Sequence, residues 1–402
     1  MAPARHVIIA GAGVAGLTAA LTLAKIGLRV TVLEQAAELE ETGAGIQIGP
    51  NAAHVLIALG LRERLEQTAM RPEAIRVMAG GSGREIVRIP LGDTVERRYG
   101  APYWTIHRAD LQSALVHAAE ANQDISIRLA TRVEDFAAHV NGVTVHARSN
   151  QRVVEDKAFA LIGADGVWST LRGRVQARRA PKFRQRTAWR AVIPAEQAPA
   201  EYRQPLVHLW LGPDAHLVHY PVKAGRLINI VGIVNDDWNE TGWSAAGDSA
   251  EILRRFARFA WSEKARKLIG LPDRWLKWAL YDRAEPSGRG SGPVTLIGDA
   301  AHPMLPFLAQ GAGMAIEDAA VLADMLAQYG DDPADALRAY EGARWHRALR
   351  AQQTSRQQGR IYGLSGPKAL IRNIAMRAMG GEKLLSRFDW LYTWRPPERF
   401  AS

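Results

Sequence analysis

Between Val7 and Ala24 the chain carries no charged residue, and its texture changes twice within that span. The continuous apolar run His6-Val7-Ile8-Ile9-Ala10 has the length of a strand buried on both faces. It breaks at Gly11-Ala12-Gly13-Val14-Ala15-Gly16 and resumes as Leu17-Thr18-Ala19-Ala20-Leu21, which reads as a helix. A second β-like run, Leu28-Arg29-Val30-Thr31-Val32-Leu33, ends at Glu34. The pattern predicts strand, helix, strand, with glycines at the first turn.

Downstream, Gly43, Gly45 and Gly49 predict a loop that leads through Pro50 and Asn51 into an amphipathic helix. Short strands follow, one of them Glu85 to Ile89, before Tyr103-Trp104-Thr105-Ile106-His107-Arg108 and a helix starting near Asp110. Alternating segments at Ser126 to Leu129, Val143 to Ala147 and Ala158 to Ile162 return the chain to a sheet that ends at Asp165-Gly166. Longer alternation at Val207 to Leu211, Leu217 to Tyr220 and Leu227 to Val234 predicts an antiparallel sheet. A buried strand, Val294 to Ile297, then stops at Gly298-Asp299, and a helix begins at Gly311-Ala312-Gly313.

These elements predict an α/β protein with a Rossmann-like nucleotide-binding domain built from residues 1–75, 105–180 and 286–345. Residues 76–104 and 181–285 would form a substrate domain, and 346–402 a C-terminal helical segment. In that segment Leu370, Ile371, Ile374 and Ala378 share one helical side, as expected of a helix packed on a domain.

The first turn already specifies chemistry. Gly11 permits the tight bend, Gly13 lets backbone approach phosphates, Gly16 lets helix and strand pack closely, and the helix N-terminus attracts negative charge. Glu34 lies 18 residues beyond Gly16, where a carboxylate accepts a hydrogen bond from a ribose hydroxyl, which favours an adenine dinucleotide without a 2′-phosphate. The glycine spacing and acidic strand end argue against reading the uncharged stretch as a signal sequence or membrane span.

At 402 residues, 47% hydrophobic, the chain can hold two or three domains. It has no cysteine, so disulfides, thiolate metal ligands and a cysteine nucleophile are excluded, and no metal site is expected; with no export signal evident, a cytoplasmic location is expected. Of the net charge of +10, much lies in residues 347–402, which hold 11 Lys or Arg against 3 Asp or Glu. A solvated helical face accounts for this; contact with an acidic membrane surface is the lesser alternative. No nucleic-acid motif accompanies the charge, so nucleic acid is not an expected partner.

Taken in order, GAGVAG with Glu34, ADG at Ala164 to Gly166, and GDAAHP at Gly298 to Pro303 resemble the FAD-dependent aromatic-ring monooxygenases, over nearly the whole length. The likeness is to the branch containing salicylate hydroxylase, 3-hydroxybenzoate 6-hydroxylase and 6-hydroxynicotinate 3-monooxygenase. It implies FAD as cofactor, NADH or NADPH as co-substrate, and hydroxylation of a small aromatic substrate by O2 through a flavin hydroperoxide. It further implies that Gly11, Gly13, Ala15, Gly16, Glu34 and Gln35 serve the ADP part, that Arg108 contacts FAD, and that Val133 lies near the adenine. Asp165 and Gly166 would serve flavin and nicotinamide, Asp299 the ribityl chain, and Gly311 and Ala312 the isoalloxazine.

For the substrate, the resemblance points to Pro303 and its neighbours Met304 to Phe307, facing a strand that carries His216, Val218 and Tyr220 on one side. His216 and Tyr220 match the spacing of a catalytic His and Tyr in the 6-hydroxynicotinate branch, and a histidine near neutral pKa would assist loss of a phenol proton. Gln47 stands where that branch has a catalytic histidine, and an amide is no general base. A phenolic acid held in part by Gln47 is therefore the expected substrate. Arg190, Arg84 and Arg226 are candidates for its carboxylate, and spacing does not choose among them; His208 and His219 are expected to be structural. A membrane-associated ubiquinone-pathway hydroxylase and a non-hydroxylating flavin-binding protein are the alternatives. Halogenation is set aside because Ala191 interrupts a WxWxIP-like stretch and no lysine occurs between Lys25 and Lys157. The expected state is a monomer or homodimer.

Overall fold

The structure is a computed structural model that describes residues 5–39, 44–150, 152–175, 180–240, 244–257, 261–285 and 290–400. Its central element is a five-stranded parallel sheet in the order Val294–Leu296, Ala160–Gly163, His6–Ala10, Arg29–Leu33, Ile125–Arg128. Strands from both ends of the chain meet in it, so the nucleotide-binding unit is assembled from discontinuous pieces. Val7, Ile8 and Ile9 are fully buried, as their continuous apolar run requires.

Helix Val14–Lys25 and helix Gly311–Gln328 lie together in the largest core, where Leu17 and Leu21 join Ile316 and Ala320. The Thr22 hydroxyl donates to the Ala319 carbonyl at 3.0 Å, which pins one helix to the other. The run Ala158 to Ile162 divides into two strands: Arg152–Ala158 belongs to a three-stranded antiparallel sheet with Gly142–Ser149 and Thr131–His139, and Ala160–Gly163 joins the parallel sheet.

The second layer is an eight-stranded sheet in the order Ala245–Gly247, Trp275–Asp282, Lys182–Pro194, Leu227–Asn235, Ala215–Val222, Leu206–Gly212, Ala74–Ala79, Glu85–Pro90. All its pairings are antiparallel except that between Leu206–Gly212 and Ala74–Ala79.

Three expectations are corrected. The stretch holding Gly45 is a strand, Gly45–Ile48, paired antiparallel with Trp104–His107, because Gln47 and Thr105 stand opposite each other in a regular ladder; Gly43 lies outside the described residues. Helix Pro333–Tyr362 runs unbroken across residue 346, where a separate segment was expected to begin. Finally, helix Gly366–Ser386 presents Leu370, Ile371 and Ile374 to solvent, with exposures of 60%, 66% and 54%. Its buried residues are Leu384 and Leu385 near the far end and, in its first half, Arg372, whose guanidinium donates to the carbonyls of Ile361 and Tyr362 at 2.9 and 3.1 Å. Those carbonyls end the preceding helix, so the two bonds fasten the next helix to its last turn with Arg372 inward.

Candidate active site

Three turns meet at the carboxyl ends of the parallel strands. Gly11 has φ of 108°, a conformation side chains avoid, and a Cβ there would stand 2.6 Å from the Ala164 carbonyl oxygen. The second turn is thus pressed onto the first, and the Ala164 N–H donates to the Ala10 carbonyl at 2.8 Å. At Gly16 a Cβ would come within 1.9 Å of the Gly11 carbonyl, whereas at Gly13 it would meet nothing within 4 Å. Gly13 is also the N-cap of helix Val14–Lys25 and offers no side chain, so the first helical N–H groups point toward that open approach.

Glu34 closes the second strand and accepts from the Ala12 and Ala36 N–H groups at 2.7 and 2.9 Å, which sets its carboxylate beside the glycine loop. Gln35 is exposed. Arg108 begins helix Arg108–Glu120 and its N–H donates to the Ala44 carbonyl at 2.9 Å. Val133 turns its side chain into the core that includes Ala10 and Leu33, leaving only its backbone for an adenine. Asp165 accepts from the Thr170 and Leu171 N–H groups at 2.8 and 3.2 Å, its Oδ1 is buried without a partner, and burial pushes its carboxyl above the usual range. Gly166 follows with φ of 77°.

In the third turn Gly298 lies against Ala15: a Cβ on the glycine would be 3.0 Å from the alanine methyl. Asp299 follows with its side chain exposed to solvent at the mouth of the turn; the surrounding protein pushes its carboxyl upward while His302 and Arg108 pull it down. A Cβ at Gly311 would be 3.9 Å from Asp299 Oδ1, so this carboxylate faces the start of helix Gly311–Gln328, where Ala312 is the second residue.

Beneath this turn runs a charged network whose Glu317, Asp318, Arg344 and Arg347 were given no role from the sequence. Asp318 accepts from the Gly298 N–H at 2.9 Å, from Arg344 Nε at 2.6 Å, and pairs with His302 Nε2 at 2.5 Å. Burial opposes its ionisation, but His302 and Arg344 outweigh that and hold its carboxyl below the usual range. Glu317 accepts from Arg344 at 2.8 Å, Arg347 at 2.6 Å and Asn51 at 2.6 Å. The network therefore ties the third turn to the Gly49-Pro50-Asn51 turn and to helix Pro333–Tyr362.

The substrate wall is one face of the eight-stranded sheet. Register places His216 opposite Ile233 and Tyr220 opposite Asn229, so these side chains share a face with Val218 and Val231. Ala188 and Ile233 on this face pack with Leu305 and Phe307, which brings the Pro303–Phe307 loop over it. The His216 ring lies 5.2 Å from Phe307 and 5.3 Å from Tyr362. The loop is held from behind: Gln352 donates to the Pro303 carbonyl at 2.9 Å and Ser355 to the Leu305 carbonyl at 2.6 Å. At Gly359 a Cβ would stand 2.6 Å from the Phe307 ring.

Gln47 enters from the side. Its Oε1 accepts from the Tyr103 hydroxyl at 2.7 Å, and its amide stands near enough to Tyr220 to offset a little of the upward push on that phenol. Gly45 lets its strand lie this close, since a Cβ there would be 2.6 Å from the Tyr220 ring and 2.7 Å from the Asn229 amide carbon. His216, Tyr220, Gln47 and Pro303 are thus brought together, and Tyr103, Asn229 and Tyr362 join them unforeseen.

Electrostatics correct one expectation. His216 is 3% exposed, and burial, reinforced by Arg186, pushes its pKa down to about 3 rather than leaving it near neutral. The Tyr220 hydroxyl is pushed well above its usual range by burial. At neutral pH the imidazole is uncharged and the phenol keeps its proton. His208 and His219 lie on the opposite face, stacked 4.4 Å apart beside Tyr202, away from the site. Among the described residues no group of three His, Asp or Glu could hold a metal ion, and no helix is long and apolar enough to cross a membrane.

A protein family described as FAD binding domain matches residues 4–355. The chain is 37% identical to 3-hydroxybenzoate 6-hydroxylase 1 of Aquipseudomonas alcaligenes over 98% of this chain and 99% of that protein. It is likewise 37% identical to 3-amino-4-hydroxybenzoate 2-monooxygenase PtmB3 of Streptomyces platensis over 96% and 95% of the two chains. Among solved structures, Klebsiella pneumoniae HpxO complexed with FAD and uric acid matches with a TM-score of 0.84 at 26% identity, covering 96% of each chain. The three turns fit FAD: an open approach at Gly13 beside a helix N-terminus suits a pyrophosphate, the Glu34 carboxylate a ribose, and the Asp299 carboxylate a polyhydroxyl chain.

Proposed function

The chain belongs to the FAD-dependent aromatic-ring monooxygenases, and on that premise we propose that it hydroxylates a phenolic acid with NADH or NADPH as reductant. The observation that carries the reading is the sheet face on which His216 and Tyr220 stand together, with Gln47 held by Tyr103 at its side and the Pro303–Phe307 loop packed opposite. Bound FAD would supply the redox chemistry of a reaction in which the nicotinamide gives two electrons, one atom of dioxygen enters the ring and the other leaves as water.

The protein's own groups bind, orient and dry the site. Gly11, Gly13, Ala15 and Gly16 with the first helical N–H groups hold the pyrophosphate, Glu34 and Gln35 the ribose end, and Val133 the adenine edge through its backbone. Arg108, Asp165, Gly166 and Asp299 complete the cradle, and the N–H groups at Gly311 and Ala312 face the flavin ring. At neutral pH an imidazole nitrogen of His216 accepts a hydrogen bond from the substrate hydroxyl, which enriches the ring in electrons. Tyr220 keeps its proton and donates. Leu305, Phe307 and Tyr362 exclude water.

The test is oxygen-dependent oxidation of NADH and NADPH by the FAD-loaded protein across hydroxybenzoates and neutral phenols, with products weighed. A product heavier by one oxygen supports the reading; peroxide alone, or no response, overturns it. One observation favours a second reading, a ring substrate dissolved in a membrane: Leu370, Ile371 and Ile374 are exposed beside Lys368 and Arg377. Flotation with anionic liposomes separates the two.

A further inference from the structure

Arg190 lies in the strand Lys182–Pro194, opposite Val231 on one neighbouring strand and Leu276 on the other. Val231 in turn stands opposite Val218, so Arg190 shares the face of His216 and Tyr220 and sits between their two rows. Two strand spacings separate it from the His216–Tyr220 strand, about 10 Å along the hydrogen-bonding direction. That is roughly the span of a benzene ring carrying substituents at both ends.

Its charge is uncompensated. Among the described residues no carboxylate pairs with Arg190, its Nε is buried without a hydrogen-bond partner, and the Trp278 ring lies 5.0 Å beneath the guanidinium. Burial pulls its pKa down, and its charge in turn eases the upward push on Tyr220. Arg190 is half-buried, and a cation drawn partly out of water without an anion is costly unless a ligand supplies one. The other two arginines considered from the sequence point elsewhere: Arg84 and Arg226 are both exposed, and Arg226 Nε donates to the Lys223 carbonyl at 3.1 Å.

We propose that Arg190 receives the carboxylate of an aromatic acid whose hydroxyl lies against His216, making it the residue that selects acids over neutral phenols. This rests on the hydroxylase reading above. The planar guanidinium fork suits a carboxylate in two parallel hydrogen bonds, and Trp278 holds the fork flat.

The experiment compares wild type, Arg190→Gln and Arg190→Lys, all FAD-loaded, for binding of hydroxybenzoates and of their neutral amides, read from the flavin absorbance. For Arg190→Gln the expected result is a weakening of thirtyfold or more for the acid, a change below threefold for the amide, and unchanged FAD affinity; Arg190→Lys recovers part of the acid binding. Because the charge is uncompensated without ligand, the ligand-free melting temperature of Arg190→Gln should hold or rise. Equal weakening of acid and amide overturns the proposal, as does unaltered discrimination with a shifted flavin potential, which would assign the guanidinium to the reduced cofactor. If the wild type binds and hydroxylates phenolic acids while Arg190→Gln discriminates as before, only this inference falls; if the wild type acts on none of them, the hydroxylase reading falls with it.

Discussion

His302 and Asp318 stand 2.5 Å apart, ring nitrogen to carboxylate oxygen, both buried beneath the turn that carries Asp299. The same carboxylate oxygen takes the Gly298 N–H, so a residue of helix Gly311–Gln328 fixes both ends of the Gly298–His302 turn. Asp299 owes its position to a neighbour that faces away from any ligand.

Asp318→Asn should therefore act on cofactor and fold together. It leaves Arg344 with Glu317 as its one carboxylate, and breaking a buried pair of this kind costs about 3–5 kcal/mol. A melting temperature lowered by many degrees and FAD binding weakened at least tenfold are expected in thermal unfolding and fluorescence titration. Wild-type values for both would remove the positioning role.

The glycines of the first turn should separate by variant. Gly13→Ala adds a methyl to open space at an ordinary backbone conformation, so the ligand-free protein should melt as before while FAD affinity drops. Gly16→Ala drives a methyl into the Gly11 carbonyl and should destabilise the protein with or without FAD. A Gly13→Ala protein that binds FAD normally would move the pyrophosphate elsewhere.

His216→Ala should retain FAD and lose hydroxylation. Removing a positioned proton partner lowers the coupled rate by about 10²-fold or more, with reducing equivalents diverted to peroxide. Tyr220→Phe should behave in the same direction but more mildly, because Gln47 keeps its bond to Tyr103. Simultaneous measurement of nicotinamide, oxygen and product decides; tight coupling in His216→Ala would take the residue out of the chemistry.

Acid should unfold this protein early. Burial, with nearby arginines, holds His208 and His216 at about 3, and His219 also falls well below its ordinary 6.5. Because the unfolded chain binds these protons first, their neutral burial stabilises fully above pH 6.5 and is lost as pH falls toward 3, each group by up to about 1.4 kcal/mol per pH step. Denaturant midpoints should fall steeply between pH 6.5 and 4.5, and His219→Phe should flatten that slope. An unchanged slope would mean that the stack takes up protons without cost.

Local pattern located the first turn, the strand end at Gly298 and the helix start at Gly311, since a buried strand that gives way to a helix leaves glycines between them. The alternation at Leu217 to Tyr220 likewise put His216 and Tyr220 on one face. What local pattern could not supply is pairing across distant segments. Gln47 looked like part of a glycine loop because its partner strand, Trp104–His107, lies far along the chain. Arg190 could not be chosen over Arg84 and Arg226 until the register showed which face it occupies. The helix from Gly366 does not bury its apolar stripe but holds Arg372 inward on the Ile361 and Tyr362 carbonyls, and no periodicity encodes that.

Phe307 touches the backbone at Gly359 on one side and the His216 ring on the other. The two positions consequently trade volume: any side chain gained at 359 must be surrendered at 307, and surrendering it widens the chamber in front of His216. Substrate scope in this scaffold can then be redrawn by paired replacements 52 positions apart, one of them at a glycine behind the Phe307 ring. Descendants that accept bulkier rings should carry the exchange at both positions, and single replacements at 359 should be rare intermediates.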